Sequence, residues 1–199
     1  MKLSSDLRRA LAAFLLSRFC AVTRSKGDAV EMMVVAGVFG VVKLFGASVP
    51  SSEEFQTRYW TTLGPVIYAP AGKLDAPGEH LRVLCHELTH VVQFWRDPIA
   101  FLARYLTSKG RAALEAEAER GACEVWWILT GTIPADLGAV DITRHGYALD
   151  DGHADLTRDL LEQAVTSVRA GVLSTDVGIE VARWVRATSP DDLVGTVIL

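Results

Sequence analysis

The sequence predicts an α+β chain, mostly helical, with a small hairpin or sheet set against a helical core. Three observations carry that expectation. Apolar residues recur at helical spacing in several stretches, most clearly Leu81, Leu84, Leu88, Val91, Val92 and Trp95. Two β-prone runs, 57–62 and 66–69, flank Leu63-Gly64-Pro65 and read as a hairpin. The chain has 199 residues, 50% of them apolar, enough for one domain with a sizeable core.

Taken in order, residues 4–22 read as an amphipathic helix. Ser4 or Ser5 is its N-cap, and Leu3, Leu7, Leu11, Phe14 and Leu15 share one face. Lys2, Arg8 and Arg9 before an apolar run have the look of a secretion leader. Against that, Arg18 closes the run early, Asp6 lies in the basic region before it, and no A-x-A site follows, so a helix is expected. Lys26-Gly27-Asp28 is a turn. Residues 32–42 are unbroken apolar sequence, with Lys43 the next charge, and Gly37, Gly40 and Gly46 punctuate the stretch. A buried helix or a pair of core strands is expected over 30–49, with a membrane anchor as the competing reading. Ser51-Ser52-Glu53-Glu54 opens a short helix.

Asp75, as N-cap, with Pro77 and Glu79 in the first turn, opens the next helix, which must stop near Asp97 because Pro98 follows. Residues 99–106 form a short helix ended by Lys109-Gly110. Residues 111–130 form the longest one, closed by Gly131. Residues 133–152 are loop-like. Two amphipathic helices, 155–170 and 176–187, precede a tail after Pro190.

Composition narrows the partners. A net charge of -4 with no more than two basic residues in a row argues against nucleic acid. Cys20, Cys85 and Cys123 are odd in number and lack C-x-x-C spacing, so neither a disulfide framework nor a cysteine-metal site is expected. Cys85 and Cys123 read as small core fillers. A reducing, cytoplasmic setting fits that usage.

The chemistry lies in His86-Glu87-Leu88-Thr89-His90, an H-E-x-x-H string. On a helix the two imidazoles stand one turn apart on one face and can share a metal ion. Glu87 is swung about 100° round the axis, out of ligand position but within reach of a water activated by that ion, as a general base. The bland reading is a chance string on a surface helix. The surrounding apolar stripe speaks against it, because buried polar groups need partners.

A catalytic zinc takes three protein ligands and keeps one open position. The residues after His90, Val91-Val92-Gln93-Phe94-Trp95-Arg96, lack the glycine and histidine of the H-E-x-x-H-x-x-G-x-x-H class. The other common source is a glutamate on a following helix, and Glu115, Glu117 and Glu119 are in range. Glu115 and Glu119 share a face, with Glu117 rotated about 200° away. They border an apolar stripe of Leu114, Ala118, Ala122 and Val125, in which Ala118 permits close approach. The favoured division makes Glu115 the ligand and Glu119 the acceptor that orients a histidine N–H. A solvated acidic face is the bland alternative.

H-E-L-T-H followed by V-V-Q, with E-A-E-A-E at 115–119, resembles the gluzincin-type zinc metallopeptidases. It is nearest to the small bacterial minigluzincin or metallopeptidase-like domains with a short helix–strand–helix–helix core. Residues 59–68 also look like the hairpin that precedes the metal helix in such proteins. The resemblance spans about residues 55–130. It implies a single zincin-like domain over 1–199 with helical extensions at both ends. It also implies Zn2+ held by His86, His90 and Glu115, Glu87 as general base, and hydrolysis of a peptide or protein substrate. Glu119 departs from the family's E-x-x-A-D-type pattern.

In zinc peptidases a strand beside the metal helix commonly pairs with an extended substrate, and residues 66–69 are the candidate, through a free edge. Arg144, His145, Tyr147 and His153 follow the ligand helix and are candidates for stabilising an oxyanion, although each is by default a surface residue. His80 reads as a surface residue. Two alternatives stand beside the peptidase: a catalytically silent zinc-binding structural or assembly domain, and a peptidase tethered to a membrane through 30–49.

Overall fold

The computed structural model describes residues 3–28, 52–70, 73–74, 78, 80–135, 137, 149–192, 195 and 197. Both readings of 30–49 lie outside the described residues, as do Asp75, Arg144, His145 and Tyr147. Among the described residues no helix is long and apolar enough to cross a membrane. The architecture is α+β and mostly helical, with one small mixed sheet.

Helix α1 (Ser5–Arg18) starts where Ser4 accepts the Leu7 N–H at 3.2 Å. It ends four residues earlier than periodicity suggests. Cys20 takes a left-handed φ of 51°, and the Ala21 N–H bonds back to Leu16 O at 2.8 Å. Glycine usually occupies such a position, so no residue type announced the stop. The chain turns there into β1 (Val22–Ser25), a strand the sequence reading missed.

After α2 (Ser52–Thr57), strands β2 (Thr61–Leu63) and β3 (Val66–Ala69) form the expected hairpin. Leu63 pairs with Val66, leaving a two-residue loop whose first position, Gly64, has a φ of 60°. That is the pattern of a II′ turn, which matches strand twist. One expectation fails here. β1 pairs parallel with β3, so the sheet order is β1-β3-β2 and β3 is the central strand. Both its edges are taken, and it has none to offer a substrate; β2 is the edge strand on the hairpin side.

The axis of the molecule is α3 (Leu81–Arg96), in which every residue from Leu84 to Gln93 is buried. It begins at Leu81, with His80 in the N-cap position making no side-chain cap, later than the start expected from Asp75. Gly78 fits tightly against α1, where a Cβ would lie 3.0 Å from Arg8 Cβ and 3.1 Å from Arg9 N, and the chain is still in a turn there. His80 is half-buried beside the Trp60 ring, at 6.0 Å, and is not a free surface residue. Trp95, assigned to the apolar stripe, is 53% exposed because the last turn of α3 projects past the core.

Asp97 ends α3 and caps α4 (Pro98–Tyr105) by accepting the Ala100 N–H at 2.9 Å. Lys109-Gly110 does not terminate this helix. Thr107 caps α5 (Ser108–Thr130), and Gly110 lies in its first turn. A Cβ at Gly110 would sit 2.2 Å from Arg104 O, so only glycine lets the two helices meet at so sharp a corner. Gly131, with φ 69°, closes α5 as expected. Helices α6 (Asp151–Arg169) and α7 (Asp176–Thr188) pack on α5, which also lies along α3.

Two buried polar features lock this arrangement. The fully buried Glu124 of α5 accepts N–H bonds from Ser174 at 2.9 Å and Thr175 at 3.1 Å, seating a carboxylate at the start of α7. Arg120 Nε donates to it as well, at 2.9 Å. At the α3–α5 crossing, a Cβ on Gly121 would lie 2.5 Å from Thr89 Oγ1, so this glycine, together with the fully buried Ala118, sets the interhelical distance. Gly121→Ala is expected to cost about 1–3 kcal/mol of stability through overpacking. Adding Thr89→Ala should recover part of that loss, measured by denaturant unfolding of the two variants.

Candidate metal centre

Helix α3 presents His86 and His90 one turn apart, with ring centroids 4.9 Å from each other, toward α5. Glu115, two turns into α5, faces them and is 1% exposed. Its Oε2 lies 3.3 Å from His86 Nε2 and 3.3 Å from His90 Nε2. The three residues present ligand atoms that all fall within 4.8 Å of one another, a cluster able to hold a metal ion.

The fit can be tested on dimensions. With bonds of about 2.0–2.1 Å at tetrahedral angles, ligand atoms stand about 3.3–3.4 Å apart. Both carboxylate–imidazole edges have that length. Glu115 Oε2 is buried and accepts no hydrogen bond. A buried carboxylate oxygen without a donor is costly unless a cation meets it. The donor set of two imidazoles and one carboxylate suits a first-row divalent ion.

Each candidate ligand has polar neighbours on its far side. Gln93 Oε1 meets His90 Nδ1 at 2.8 Å, and Gln93 Nε2 donates to Leu114 O at 2.9 Å and to Glu117 Oε2 at 3.1 Å. Glu119 Oε1 stands 3.2 Å from His86 Nδ1, and its other oxygen is 3.5 Å from Arg82 Nη2. The Gln93 oxygen at His90 Nδ1 places that ring's lone pair at Nε2, toward Glu115, whereas His86 Nδ1 lies near Glu119 without a hydrogen bond. Tyr105 Oη donates to Glu115 Oε1 at 3.1 Å, which occupies that oxygen and leaves Oε2 for an ion. Glu117, by contrast, turns away to pair with Arg96.

Glu87 is buried on the sheet side of α3, where Thr62 Oγ1 donates to its Oε2 at 2.7 Å. Its charge is felt by His90 and by Tyr105, so it borders the cluster without joining it. Beneath it, Lys26 is 4% exposed and donates to Thr61 Oγ1 at 2.8 Å. Burial lowers the Lys26 pKa to about 8, with Glu87 acting in the opposite direction.

Electrostatics in the metal-free cluster are set by competition. Burial disfavours a charged imidazole at both histidines. Glu115 and Glu119 beside His86, and Glu115 beside His90, outweigh it, and both pKa values stand above the ordinary histidine value. Burial likewise opposes the Glu115 carboxylate, but the two imidazoles hold its pKa far below the usual range. Glu119 is lowered by His86 and Arg82 against its own burial. Burial and the charge of Glu115 raise the Tyr105 phenol well above its normal value.

His153, by contrast, lies at the start of α6, with its Nδ1 3.0 Å from Ser108 Oγ and 2.6 Å from Asp150 Oδ1. Ser108 is two turns of α5 before Glu115, about 10 Å along the axis, so this histidine is not brought into the cluster. Tyr105, Thr62, Lys26 and Arg82 escaped the sequence reading. Tyr105 and Thr62 reach the site from other elements, and no spacing links them to His86. Gln93 was legible as a polar residue, and its position at i+3 from His90 was the available signal for its role.

Comparison with known protein families, curated proteins and solved structures finds no match to this chain.

Two outcomes follow from the geometry. Because the histidine pKa values are raised, a metal must displace protons from them, so binding at neutral pH should release protons and affinity should keep rising with pH beyond the ordinary histidine range. Calorimetry in buffers of different ionisation enthalpy checks both. Tyr105→Phe frees Glu115 Oε1 and should weaken metal binding about 10–100-fold, read by chelator competition.

Proposed function

We propose that the chain is a zinc-dependent metallopeptidase that hydrolyses peptide bonds, with His86, His90 and Glu115 as ligands and Glu87 as general base. The observation that carries this reading is the convergence of both Nε2 atoms on the orphaned Oε2 of Glu115, with a separately held glutamate on the next position of the same helix. Zinc bound there supplies a Lewis acid that polarises a carbonyl and acidifies a water.

The protein's own groups do the rest. Glu87 takes a proton from the attacking water as its oxygen bonds to the carbonyl carbon. It then passes that proton to the amine nitrogen as the C–N bond breaks. The hydrogen bond from Thr62 fixes one oxygen of Glu87, so the other handles the proton. Gln93 and Glu119 keep the imidazoles aimed, so little reorganisation accompanies reaction.

Glu87→Gln keeps the shape of the base but removes its proton affinity. It should retain zinc at parent occupancy and lose about 10²–10⁴-fold in hydrolysis of a mixed peptide library. Glu115→Ala should lose the metal itself, seen by elemental analysis. Equal hydrolysis by the parent and Glu87→Gln, both zinc-loaded, defeats the catalytic reading and leaves a metal-binding domain without turnover.

A further inference from the structure

Of the acids at 115, 117 and 119, Glu117 is the one that the metal centre leaves unused. It turns away from the imidazoles and meets the next two polar side chains along the same side of α3, Gln93 and Arg96. Gln93 stands three residues after His90 and Arg96 three residues further on, so neighbouring turns of one helix carry all three. Gln93 is only 5% exposed, and every polar atom of its side chain needs a partner inside the protein.

A side-chain amide has two unlike ends, and what each end faces decides its orientation. Gln93 Nε2 faces two acceptors, the carbonyl of Leu114 at 2.9 Å and the carboxylate oxygen Oε2 of Glu117 at 3.1 Å, and gives a hydrogen to each. Turned over, the amide would set its own oxygen against both of them. Its oxygen is therefore committed to His90 Nδ1, at 2.8 Å, which must carry the hydrogen. The lone pair of that ring then stands at Nε2, 3.3 Å from Glu115 Oε2. Glu117 is held in turn. Arg96 Nη1 donates to its other oxygen, and Arg96 Nη2 donates to Asp176 Oδ2 at 3.1 Å. A chain of bonds thus runs from the start of α7 to one ring of the cluster. His86 has no counterpart, since its Nδ1 makes no hydrogen bond.

We propose that Glu117, anchored by Arg96, is a positioning residue for His90: it locks the Gln93 amide in the orientation that leaves His90 Nε2 free to bind a metal, without touching a ligand itself. The inference rests on the metal-centre reading and does not depend on turnover at Glu87. Loss of Glu117 removes one of the two acceptors that decide the amide and strands a buried N–H, so Gln93, and with it the ring, is free to turn. Arg96 acts one step further out, by keeping the carboxylate in place.

The test is zinc affinity of the full chain by chelator competition, joined to long-range 1H–15N NMR of the histidine rings in the zinc-loaded protein. Glu117→Ala should bind zinc about ten-fold more weakly than the parent. Glu117→Gln, whose amide oxygen still accepts from Gln93, should recover most of that loss, and Arg96→Met should fall between the two. In a Gln93→Leu background Glu117→Ala should have no further effect, because the residue acts only through that amide. In Glu117→Ala alone, the Nδ1 hydrogen of His90 should exchange with solvent faster while the His86 signals stay in place. Parent affinity in Glu117→Ala overturns the proposal. So does an equal loss in both backgrounds, which assigns the effect to charge alone. A parent that takes up no zinc overturns it together with the metal-centre reading.

Discussion

A carboxylate sealed between two helices, with two imidazoles against one oxygen and a phenol against the other, is the constraint on which the rest of this structure depends. Glu115 is almost without solvent contact, and one of its oxygens has no hydrogen-bond donor at all. In water that group would be fully solvated, and moving it inside costs several kcal/mol unless positive charge replaces the solvent. In the metal-free cluster protons on His86 and His90 supply that charge, and the same cluster could hold a metal ion in their place. The raised histidine pKa values and the lowered one of Glu115 are the protonic version of the same compensation.

Bringing such groups together demands a short α3–α5 distance. Imidazole and carboxylate side chains are of modest length, and contact at 3.3 Å leaves no slack for helices set far apart. Gly121 against Thr89 and the fully buried Ala118 provide the approach. Glu124, further along α5, pins the start of α7 to the same helix by accepting the N–H groups of Ser174 and of the N-cap Thr175 just before it. The apolar core on the far side of α3, contributed largely by α1 and α7, then holds that helix against α5. Close packing and buried polarity are therefore coupled, since loosening either would admit water to the carboxylate and relax the imidazoles.

The site's ligands were more legible in the sequence than its supports. His86, Glu87 and His90 announce themselves by spacing on one helix. Glu115 follows from needing a carboxylate on the next suitable helix face. Those are arguments within single helices, where periodicity fixes direction. Tyr105 and Thr62 act through space from a separate helix and a strand, and nothing local marks them. The same division holds for the fold. Hairpin and helices followed from pattern and turn residues, whereas β1 was missed because Cys20, not glycine, adopts the left-handed turn. That missed strand is also why β3 was taken for an edge: its partner comes from sequence about 40 residues earlier.

Strand β1 changes how the N-terminal part of the chain should be understood. By pairing with β3 it brings Lys26 beneath Thr61, and Thr61 is the neighbour of the residue that holds Glu87. A lysine this deeply buried loses much of its hydration, which is why its pKa falls to about 8. Such a cost is tolerated where the charge has an anion to face, and Glu87 is one. The candidate ligands are thus positioned by helix–helix packing, while Glu87 is held by the sheet. Two independent frameworks meet at α3, and residues 22–26 belong to the site as much as the helices do.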